Sequence, residues 1–283
     1  MTPSIKSGRL LVVGTPIGNL DDLSPRGRQA LAGADAIFCE DTRVTAKLAA
    51  RFGLPARRIS CPGPREESRV AELLERLGRG ETVALVSDAG MPTLSDPGER
   101  LVEAAAGAGH AVLVVPGPSA PAAALALSGL SAVPHTFLGF LPARQGERER
   151  LLATLRERRE TLVWFESPHR LAGGLESAAR VLGPRRACVA RELTKIHEEA
   201  VRGTLPELAA AFRDRGQGRG EITVVVEGAT GEPAAAADDD VDAHIRRALA
   251  AGQALKALSK EIARVTRRPA REVYKRALEL SRP

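Results

Sequence analysis

The sequence predicts an α/β protein with two α/β domains of similar size and a small helical module at the carboxyl end. Short apolar runs alternate with helix-like stretches over residues 9–228, and an acidic, alanine-rich segment separates them from a basic tail. The runs are continuous and rich in β-branched residues, which is typical of parallel strands covered on both faces. We expect an N-terminal α/β domain over 1–117, a second over 118–228, a linker over 229–240 and the basic module over 241–283.

The first domain begins with a clear strand and helix. Ser24 followed by Pro25 is a helix start signal, because serine caps the free N–H groups and proline is favoured at the first helical position. Thr42 is a candidate cap for a second helix, which we expect to end at Gly53. The predicted strands are Leu10–Val13, Ala36–Cys39, Arg58–Cys61, Val83–Val86 and Ala111–Val115.

The second domain shows the same alternation of strands and helices, and we expect a sheet of mixed strand direction. Thr204 is the expected cap of its last helix. The predicted strands are Thr136–Phe140, Leu162–Phe165, Ala187–Ala190 and Ile222–Glu227, and the predicted helices are Glu147–Glu157, Arg170–Leu182 and Leu205–Arg213.

The tail predicts three short helices after a flexible linker, "ATGEPAAAADDD". Val241, Ile245 and Leu249 recur at helical spacing, a second apolar series follows, and Pro269 separates it from "AREVYKRALEL". Three helices of this size with a tight break indicate a module of the helix-turn-helix kind with a small core.

The positive charge of the protein lies in this tail. Residues 242–283 hold eleven Lys/Arg against four Asp/Glu, a net +7, while the other 241 residues carry 30 against 31, a net −1. A basic tail on a neutral body favours an anionic partner, with nucleic acid first. The alternative is a solvated basic face that serves solubility.

Cysteine usage and hydropathy exclude several protein classes. The three cysteines form no CxxC motif, so neither a disulfide framework nor a zinc site is expected, and a reducing compartment is favoured. We see no signal-peptide core near the first residue and no apolar run close to the roughly 20 residues that span a bilayer. We therefore expect a cytoplasmic protein without membrane contact.

Three loops at predicted strand ends are rich in glycine and proline. They read "GTPIGN" after the first strand, "SDAGMPTLSDPG" after the fourth and "PGPSA" after the fifth. Glycine allows close backbone approach and proline fixes φ, so the loops form rigid walls. Because ligands of open parallel sheets bind beyond the carboxyl ends of the strands, three such loops predict a binding crevice.

The crevice is unsuited to a phosphate group. The chain has no GxxxxGK[ST] motif, and none of the three loops contains Lys or Arg. The loops offer carbonyls, Ser87 and Asp88 instead, which suits a cationic or zwitterionic ligand that contains an adenosine. The alternative role of Asp88 is that of a helix or turn cap.

Eight motifs in order carry a family resemblance. They are "GTPIGNLDDLSPRGRQAL", "CEDTR", "SDAGMPTLSDPG", "VPGPSA", "FLGFLP", "FESPHR", "RELTKIHEE" and "GEITVVVEG". Together they resemble the ribosomal RNA small subunit methyltransferase I family, a branch of the tetrapyrrole-methylase-like class III methyltransferases. The resemblance covers residues 8–228, and the tail sequence "LSKEIARVTRRPAREVYKRAL" is also similar to the family's extension. Met91 stands where the family pattern has threonine, which puts a side-chain contact there in doubt.

The resemblance implies two α/β domains of the tetrapyrrole methylase type with S-adenosylmethionine in the cleft between them, and a homodimer. It implies 2′-O-methylation of a cytidine ribose in the decoding region of 16S ribosomal RNA, so the small ribosomal subunit is the expected partner. It also implies cofactor contacts, although Phe165 could equally be a core residue. The expected cofactor-binding residues are Gly14, Pro16, Ser87, Asp88, Ala89, Gly90, Thr93, Ser119, Ala120, Phe165, Glu221 and Ile222.

A ribose hydroxyl needs a general base to become a good nucleophile. Each charged candidate, taken singly, could instead be an ion pair or a cap. The candidates at predicted strand ends are Glu40, Asp41, Glu166, His169, Glu192, Lys195 and Glu198. Arginine suits bidentate phosphate recognition, and the candidate RNA contacts are Arg43, Arg170, Arg191, Arg267, Arg268 and Arg271.

Two other functions remain open from the sequence. The same crevice could serve a methylase that acts on a tetrapyrrole or another small molecule, although a small substrate needs no basic helical module. The protein could also be a ligand sensor whose tail binds nucleic acid.

Overall fold

The computed structural model describes residues 8–215, 218, 220–230, 238–251, 253–266 and 269–281. The chain divides into two compact units, with the division between Gly228 and Ala229. The first unit contains two five-stranded sheets and the second contains three helices. The predicted α/β class with a carboxyl-terminal helical module is confirmed.

The first sheet is entirely parallel. Its strands are β1 Arg9–Val13, β2 Ala36–Cys39, β3 Arg57–Ser60, β4 Thr82–Val86 and β5 Ala111–Val115, in the spatial order β3-β2-β4-β1-β5. Arg9 lies opposite both Thr82 and Ala111, which fixes the register of the three strands that carry the glycine-rich loops. All five predicted strands are present within one residue of the expected bounds.

Helices α1 Pro25–Ala32, α2 Thr42–Phe52, α3 Glu66–Gly78 and α4 Glu99–Gly107 accompany this sheet. The predicted start of α1 is confirmed, because the Ser24 hydroxyl accepts a hydrogen bond of 2.9 Å from the Gly27 N–H. The predicted cap of α2 is wrong by one residue: Thr42 is the first helical residue, and the Asp41 carboxylate accepts the Arg43 N–H at 2.8 Å. Gly53, at φ 63°, ends α2 as expected.

The expectation that the parallel strands are covered on both faces fails at β5. Leu113 and Val114 of this edge strand are 48% and 59% exposed. The chain after β5 leaves the first sheet, and the following helix, α5 Ala120–Ser128, packs against the second sheet instead. The edge strand therefore leaves one apolar side chain on each of its faces in contact with solvent.

The second sheet has the predicted mixed direction. Its strands are β6 His135–Phe140, β7 Thr161–Glu166, β8 Arg186–Arg191, β9 Glu199–Thr204 and β10 Ile222–Val226, in the order β6-β7-β10-β8-β9. Only β6 and β7 are parallel. The edge strand β9 was not among the predicted strands. Thr204, at the end of β9, is the N-cap of the next helix as expected, and the Glu207 carboxylate accepts the Thr204 N–H at 2.8 Å.

Helices cover the second sheet on both faces. One face packs against α6 Gln145–Thr154, α7 Leu171–Leu182 and α8 Leu205–Asp214, around a core that contains Trp164 and Phe212. The other face packs against α5 through residues such as Val163 and Leu125. Side chains alternate along each strand, so neighbouring residues at one strand end serve opposite faces.

The second unit holds the three predicted helices, α9 Asp238–Ala250, α10 Leu255–Thr266 and α11 Ala270–Leu280. They share a small core of Val241, Ile245, Leu258, Ile262, Val273 and Ala277. Because α9 begins at Asp238, the last three residues of the predicted linker are helical; carboxylates are favoured in a first helical turn. None of the helices in the described part of the chain has the length and apolar character of a membrane span.

Candidate active site

A cleft of about 390 Å³ opens between loops of the first and second sheets. Its lining residues come mainly from the loop 88–96 after β4, from 119–121 at the start of α5, from 165–168 at the end of β7 and from 220–223 at the start of β10. Ile17, Phe140 and Leu193 complete it. The cleft lies at the carboxyl ends of β1, β4 and β5, where the sheet topology favours ligand binding.

The three glycine-rich loops contact each other and form one wall. Thr15 and Gly90 exchange backbone hydrogen bonds of 2.8 and 3.1 Å. A Cβ added to Gly14 would lie only 2.6 Å from the backbone nitrogen of Gly117. The close contact between these two loops therefore requires glycine at position 14.

Carboxylates dominate the polar part of the cleft. Burial, together with the nearby charges of Asp88 and Glu221, raises the pKa of Asp96 to about 6. Burial also raises the pKa of Asp88, whose carboxylate accepts the Asp41 N–H at 3.0 Å. Asp96 was missed from the sequence, although it stands in the second Ser-Asp pair of "SDAGMPTLSDPG".

Among the described residues that line the cleft, none is a lysine, arginine or histidine. Two of its acidic residues are ion-paired with cations that do not line it: Lys195 Nζ lies 3.2 Å from Glu221 Oε2 and 2.8 Å from Glu192 Oε1, and Arg170 Nε lies 3.4 Å from Glu166 Oε1. Four lining residues are acidic, namely Asp88, Asp96, Glu166 and Glu221. Such a cleft attracts a cation and repels a phosphate.

Comparisons with known proteins agree with this geometry. The family model described as "Tetrapyrrole (Corrin/Porphyrin) Methylases" matches residues 9–209. A protein of Mycobacterium tuberculosis named ribosomal RNA small subunit methyltransferase I is 49% identical over 228 residues, which cover 80% of this chain and 79% of the relative. A Synechocystis protein of the same name is 40% identical over 275 residues, 96% of this chain and 98% of the relative.

The chain belongs to the ribosomal RNA small subunit methyltransferase I family. It is a methyltransferase, and the cofactor of this family is S-adenosylmethionine. Uroporphyrin-III C-methyltransferase of Thermus thermophilus has the same fold, with a TM-score of 0.56 at 19% identity over 77% of this chain and 94% of that one. The resemblance drawn from the motifs is thus confirmed.

Most of the expected cofactor-binding residues line the cleft. They are Asp88, Ala89, Gly90, Ser119, Ala120, Phe165, Glu221 and Ile222. Four do not: Gly14 packs on Gly117, Thr93 is exposed, and Pro16 and Ser87 line a small neighbouring cavity of about 50 Å³. The buried Ser87 hydroxyl lies 3.2 Å from the Ala89 carbonyl oxygen and braces the loop.

Aromatic rings form the far side of the cleft. The Phe165 ring meets Phe137 edge-on with centroids 5.0 Å apart, and Phe140 lies 5.4 Å from Phe165. Phe165 and Phe140 both line the cleft, and Phe140 is exposed. The two rings offer an apolar surface to a flat group such as adenine.

The expected catalytic candidates separate into four places. Glu166 lines the cleft with a buried side chain, its pKa is raised by burial, and it accepts the Ser167 N–H at 3.0 Å. Glu192 and Lys195 form the ion pair behind Glu221, and Glu198 accepts the Thr194 N–H at 2.6 Å. His169 lines a different pocket on the opposite face of the second sheet.

Glu40 and Asp41 lie behind Asp88 and are not among the cleft-lining residues. Hydrogen bonds from Arg43 lower the pKa of Asp41 to about 2, so Asp41 stays ionised at the start of α2. Burial and the nearby Asp88 and Asp96 raise the pKa of Glu40. Both residues place negative charge near the cleft without reaching into it.

The expected RNA contacts are dispersed. Arg43 is exposed beside Asp41, and Arg271 is exposed on α11. Arg170 is half-buried and donates to the Leu141 and Pro142 carbonyls at 2.5 and 3.2 Å, so it braces the chain after β6. Arg191 lines the pocket that contains His169. The predictions for Arg267 and Arg268 lie outside the described residues.

Proposed function

We propose that this protein transfers a methyl group from S-adenosylmethionine to the 2′-hydroxyl of a cytidine in the decoding region of 16S ribosomal RNA. The observation that carries the proposal is a cleft that is lined by carboxylates, lacks a lining cation among the described residues and contains a carboxyl group with a pKa near 6. The names of the relatives support small-subunit ribosomal RNA as the substrate.

The residues of the cleft fit the cofactor. S-adenosylmethionine, when bound, supplies a methyl group activated by a sulfonium charge. Asp88 and Glu221 provide negative charge for the cationic groups of this molecule, while Phe165 and Phe140 provide an apolar face for its adenine. The contact between the Gly14 and Gly117 loops keeps the wall rigid, so these groups are held in position before binding.

Asp96 is the proposed general base. Methylation of a ribose removes the hydroxyl proton while the oxygen forms a bond to the methyl carbon, so a nearby carboxylate accelerates the reaction. The pKa of about 6 leaves most of Asp96 ionised at neutral pH, and makes it a stronger base than an ordinary aspartate. Lys195 lies 3.2 Å from the Glu221 carboxylate and holds this carboxylate in position at the rim of the cleft.

The RNA contacts are proposed to include Arg43, in the first turn of α2, and the basic tail, in which Arg271 is exposed. The tail carries a net +7, and positive charge of this size adds sequence-independent affinity for a phosphate backbone. Its three helices are compact by themselves.

The proposal includes a homodimer in the cytoplasm. The exposed Leu113 and Val114 on the edge strand β5 support a second copy as the partner, because apolar side chains on an open strand edge favour pairing with another chain. The three cysteines are unpaired and buried, which fits a reducing compartment.

The test uses labelled S-adenosylmethionine and small ribosomal subunits that lack the modification. The wild-type protein is expected to place label in the ribosomal RNA. Alkaline hydrolysis is expected to leave intact the phosphodiester bond on the 3′ side of the labelled nucleotide, because cleavage of that bond requires a free 2′-hydroxyl. Label on a base, in a small molecule, or in no acceptor would overturn the proposal. Label in a tetrapyrrole would favour the small-molecule methylase.

A further inference from the structure

A second pocket, of about 250 Å³, lies at the same end of the second sheet as the cleft. We call it the arginine pocket; its floor is formed by Leu171, Ala172 and Phe212 and its rim by Arg191, Arg213 and Arg215. The floor residues belong to α7 and α8, so the pocket opens on the helix-covered face of the sheet on which these two helices pack.

The arginine pocket and the cleft are neighbours across the edge of the sheet. Pro168 and Ile222 line both cavities. Ile222 pairs with Glu166 at the end of β7, and the next pair, Thr223 with Phe165, presents its side chains to the other face. A chain molecule that enters the cleft can therefore continue into the arginine pocket around the end of β7.

The rim carries more positive charge than its partners neutralise. Glu199 contacts two of the arginines, with Arg215 at 2.5 Å and Arg191 at 3.6 Å, and Glu176 contacts Arg213 at 2.5 Å. Neither glutamate lines the pocket. Within the described part of the chain, three guanidinium groups thus share two ion-pair carboxylates, and the excess positive charge faces the pocket.

Arg191 is the arginine best placed to bind a further anion. Its side chain is 28% exposed, and within the described part of the chain it makes no hydrogen bond, because the 3.6 Å contact with Glu199 is too long for one. Arg215 is already fixed, with its guanidinium 5.1 Å from the Phe212 ring centroid. A phosphate can therefore bind Arg191 without displacing a hydrogen bond.

The size and lining of the pocket fit one nucleotide. Its volume of about 250 Å³ lies just below the roughly 300–1,000 Å³ of sites for drug-sized ligands, so the pocket has room for no more than about one nucleotide. An apolar floor suits the face of a base, and the arginine rim suits the phosphate attached to it. The first two residues of α7 lie in the floor, and a helix amino terminus adds partial positive charge.

We propose that the arginine pocket binds a nucleotide of the RNA acceptor adjacent to the methylated one, with its base on the Leu171–Phe212 floor and its phosphate on Arg191. This inference rests on the proposed function and extends it, because it gives the cleft a separate anchor for the RNA. The cleft then needs no cation of its own to hold its substrate.

The test compares three variants of the full chain. Arg191→Gln removes the anchoring charge, and Ala172→Phe fills the floor without a change of charge. Arg180→Gln is the matched control, because Arg180 also lies in α7, pairs with Glu149 at 2.5 Å and lines neither cavity. The readouts are KM and kcat for unmodified small subunits and the affinity for S-adenosylmethionine.

Arg191→Gln is expected to raise the KM for the subunit about tenfold and to reduce the slope of log affinity against log salt by about 1, as for the loss of one phosphate contact. Ala172→Phe is expected to raise KM with the slope unchanged. Neither of these two variants is expected to change kcat or the affinity for S-adenosylmethionine, and Arg180→Gln is expected to behave as the wild type. Equal KM values for Arg191→Gln and Arg180→Gln, with an active wild type, overturn the inference.

Direct binding separates this inference from the proposed function. With saturating S-adenosylmethionine present, cytidine or adenosine 5′-monophosphate is expected to bind the wild-type protein about tenfold more tightly than inorganic phosphate. Arg191→Gln is expected to lose both ligands, and Ala172→Phe to lose the advantage of the nucleotide. Equal nucleotide binding by Arg191→Gln and Arg180→Gln overturns the pocket whatever the methylation assay shows, and a wild type that methylates no RNA overturns the proposed function alone.

Discussion

The cleft and the arginine pocket lie on opposite faces of one sheet end, share Pro168 and Ile222, and carry opposite charge. Among the residues that the structure describes, four acidic ones line the cleft, and three arginines and a histidine line the arginine pocket. Adjacent strand residues point to opposite faces, so a single sheet end can present both kinds of site. The difference shows how one protein can separate a cationic methyl donor from a polyanionic acceptor.

This separation matters because the methyl donor is positively charged and the RNA acceptor is negatively charged. A carboxylate-lined cleft attracts a sulfonium but repels the phosphates on either side of a target nucleotide. Arginines placed beyond the edge of the sheet can hold a phosphate without entering the cleft.

The largest effect is expected from Asp96→Asn, which removes the proposed base. The single-turnover methylation rate should fall about 10²–10⁴-fold, the usual contribution of a general base. RNA affinity should stay the same, because Asp96 lines only the cleft. Asp21→Asn, at an exposed ion pair with Arg51, is the control. A rate within threefold of the wild type would remove Asp96 from the mechanism.

The next effect is expected from Gly14→Ala, which disturbs only the wall of the cleft. The new Cβ would lie 2.6 Å from the Gly117 nitrogen, so the two loops must separate. Overpacking of this kind costs about 1–3 kcal/mol, and calorimetry should show S-adenosylmethionine affinity reduced about ten- to a hundredfold. Gly78→Ala is the control, because its Cβ would meet nothing within 4 Å. Unchanged affinity would show that the loop contact does not shape the site.

The pH dependence should also belong to the cleft. A base acts when it is deprotonated, so with a pKa of about 6 the methylation rate should rise as pH increases through 6 and level off above 7. The rise from pH 5 to pH 7 is about tenfold for a single group with this pKa. Single-turnover rates measure it, and Asp96→Asn should lack this limb. The same rise of rate with pH in Asp96→Asn would assign this titration to another group.

The smallest effect is expected from removal of residues 229–283, which leaves both cavities intact. RNA affinity should fall about fivefold near physiological salt, where screening weakens the attraction of solvent-exposed charges, and its salt dependence should flatten. S-adenosylmethionine affinity should not change. Filter binding at several salt concentrations measures the effect. Unchanged RNA affinity in the shortened protein would assign the tail another role.

Local signals were sufficient for much of the fold. The Ser24–Pro25 start and the Gly53 end were recognisable because each depends on a few neighbouring residues. Strand β9 was missed because "EAVRGT" has no apolar run; it is an edge strand with half-buried side chains. Its place in the sheet depends on pairing with β8 rather than on its own pattern.

The site was harder to predict because it depends on contacts between distant segments. The cleft loops were visible as glycine- and proline-rich strand ends, but Asp96 reaches the cleft only because Thr93 and Ser95 turn the chain with φ values of 73° and 69°. Residues other than glycine rarely adopt positive φ angles, so the sequence did not indicate the turn. The arginine pocket joins β8 with the end of α8, and no spacing in the sequence indicates that contact.

The most direct test of charge separation is one matrix of dissociation constants. Asp88→Asn and Arg191→Gln are each measured with S-adenosylmethionine and with unmodified small subunits. The account predicts that Asp88→Asn weakens only the cofactor and Arg191→Gln weakens only the RNA. If each variant weakened the binding of both ligands to the same extent, the two cavities would not act as separate sites for the cofactor and the RNA.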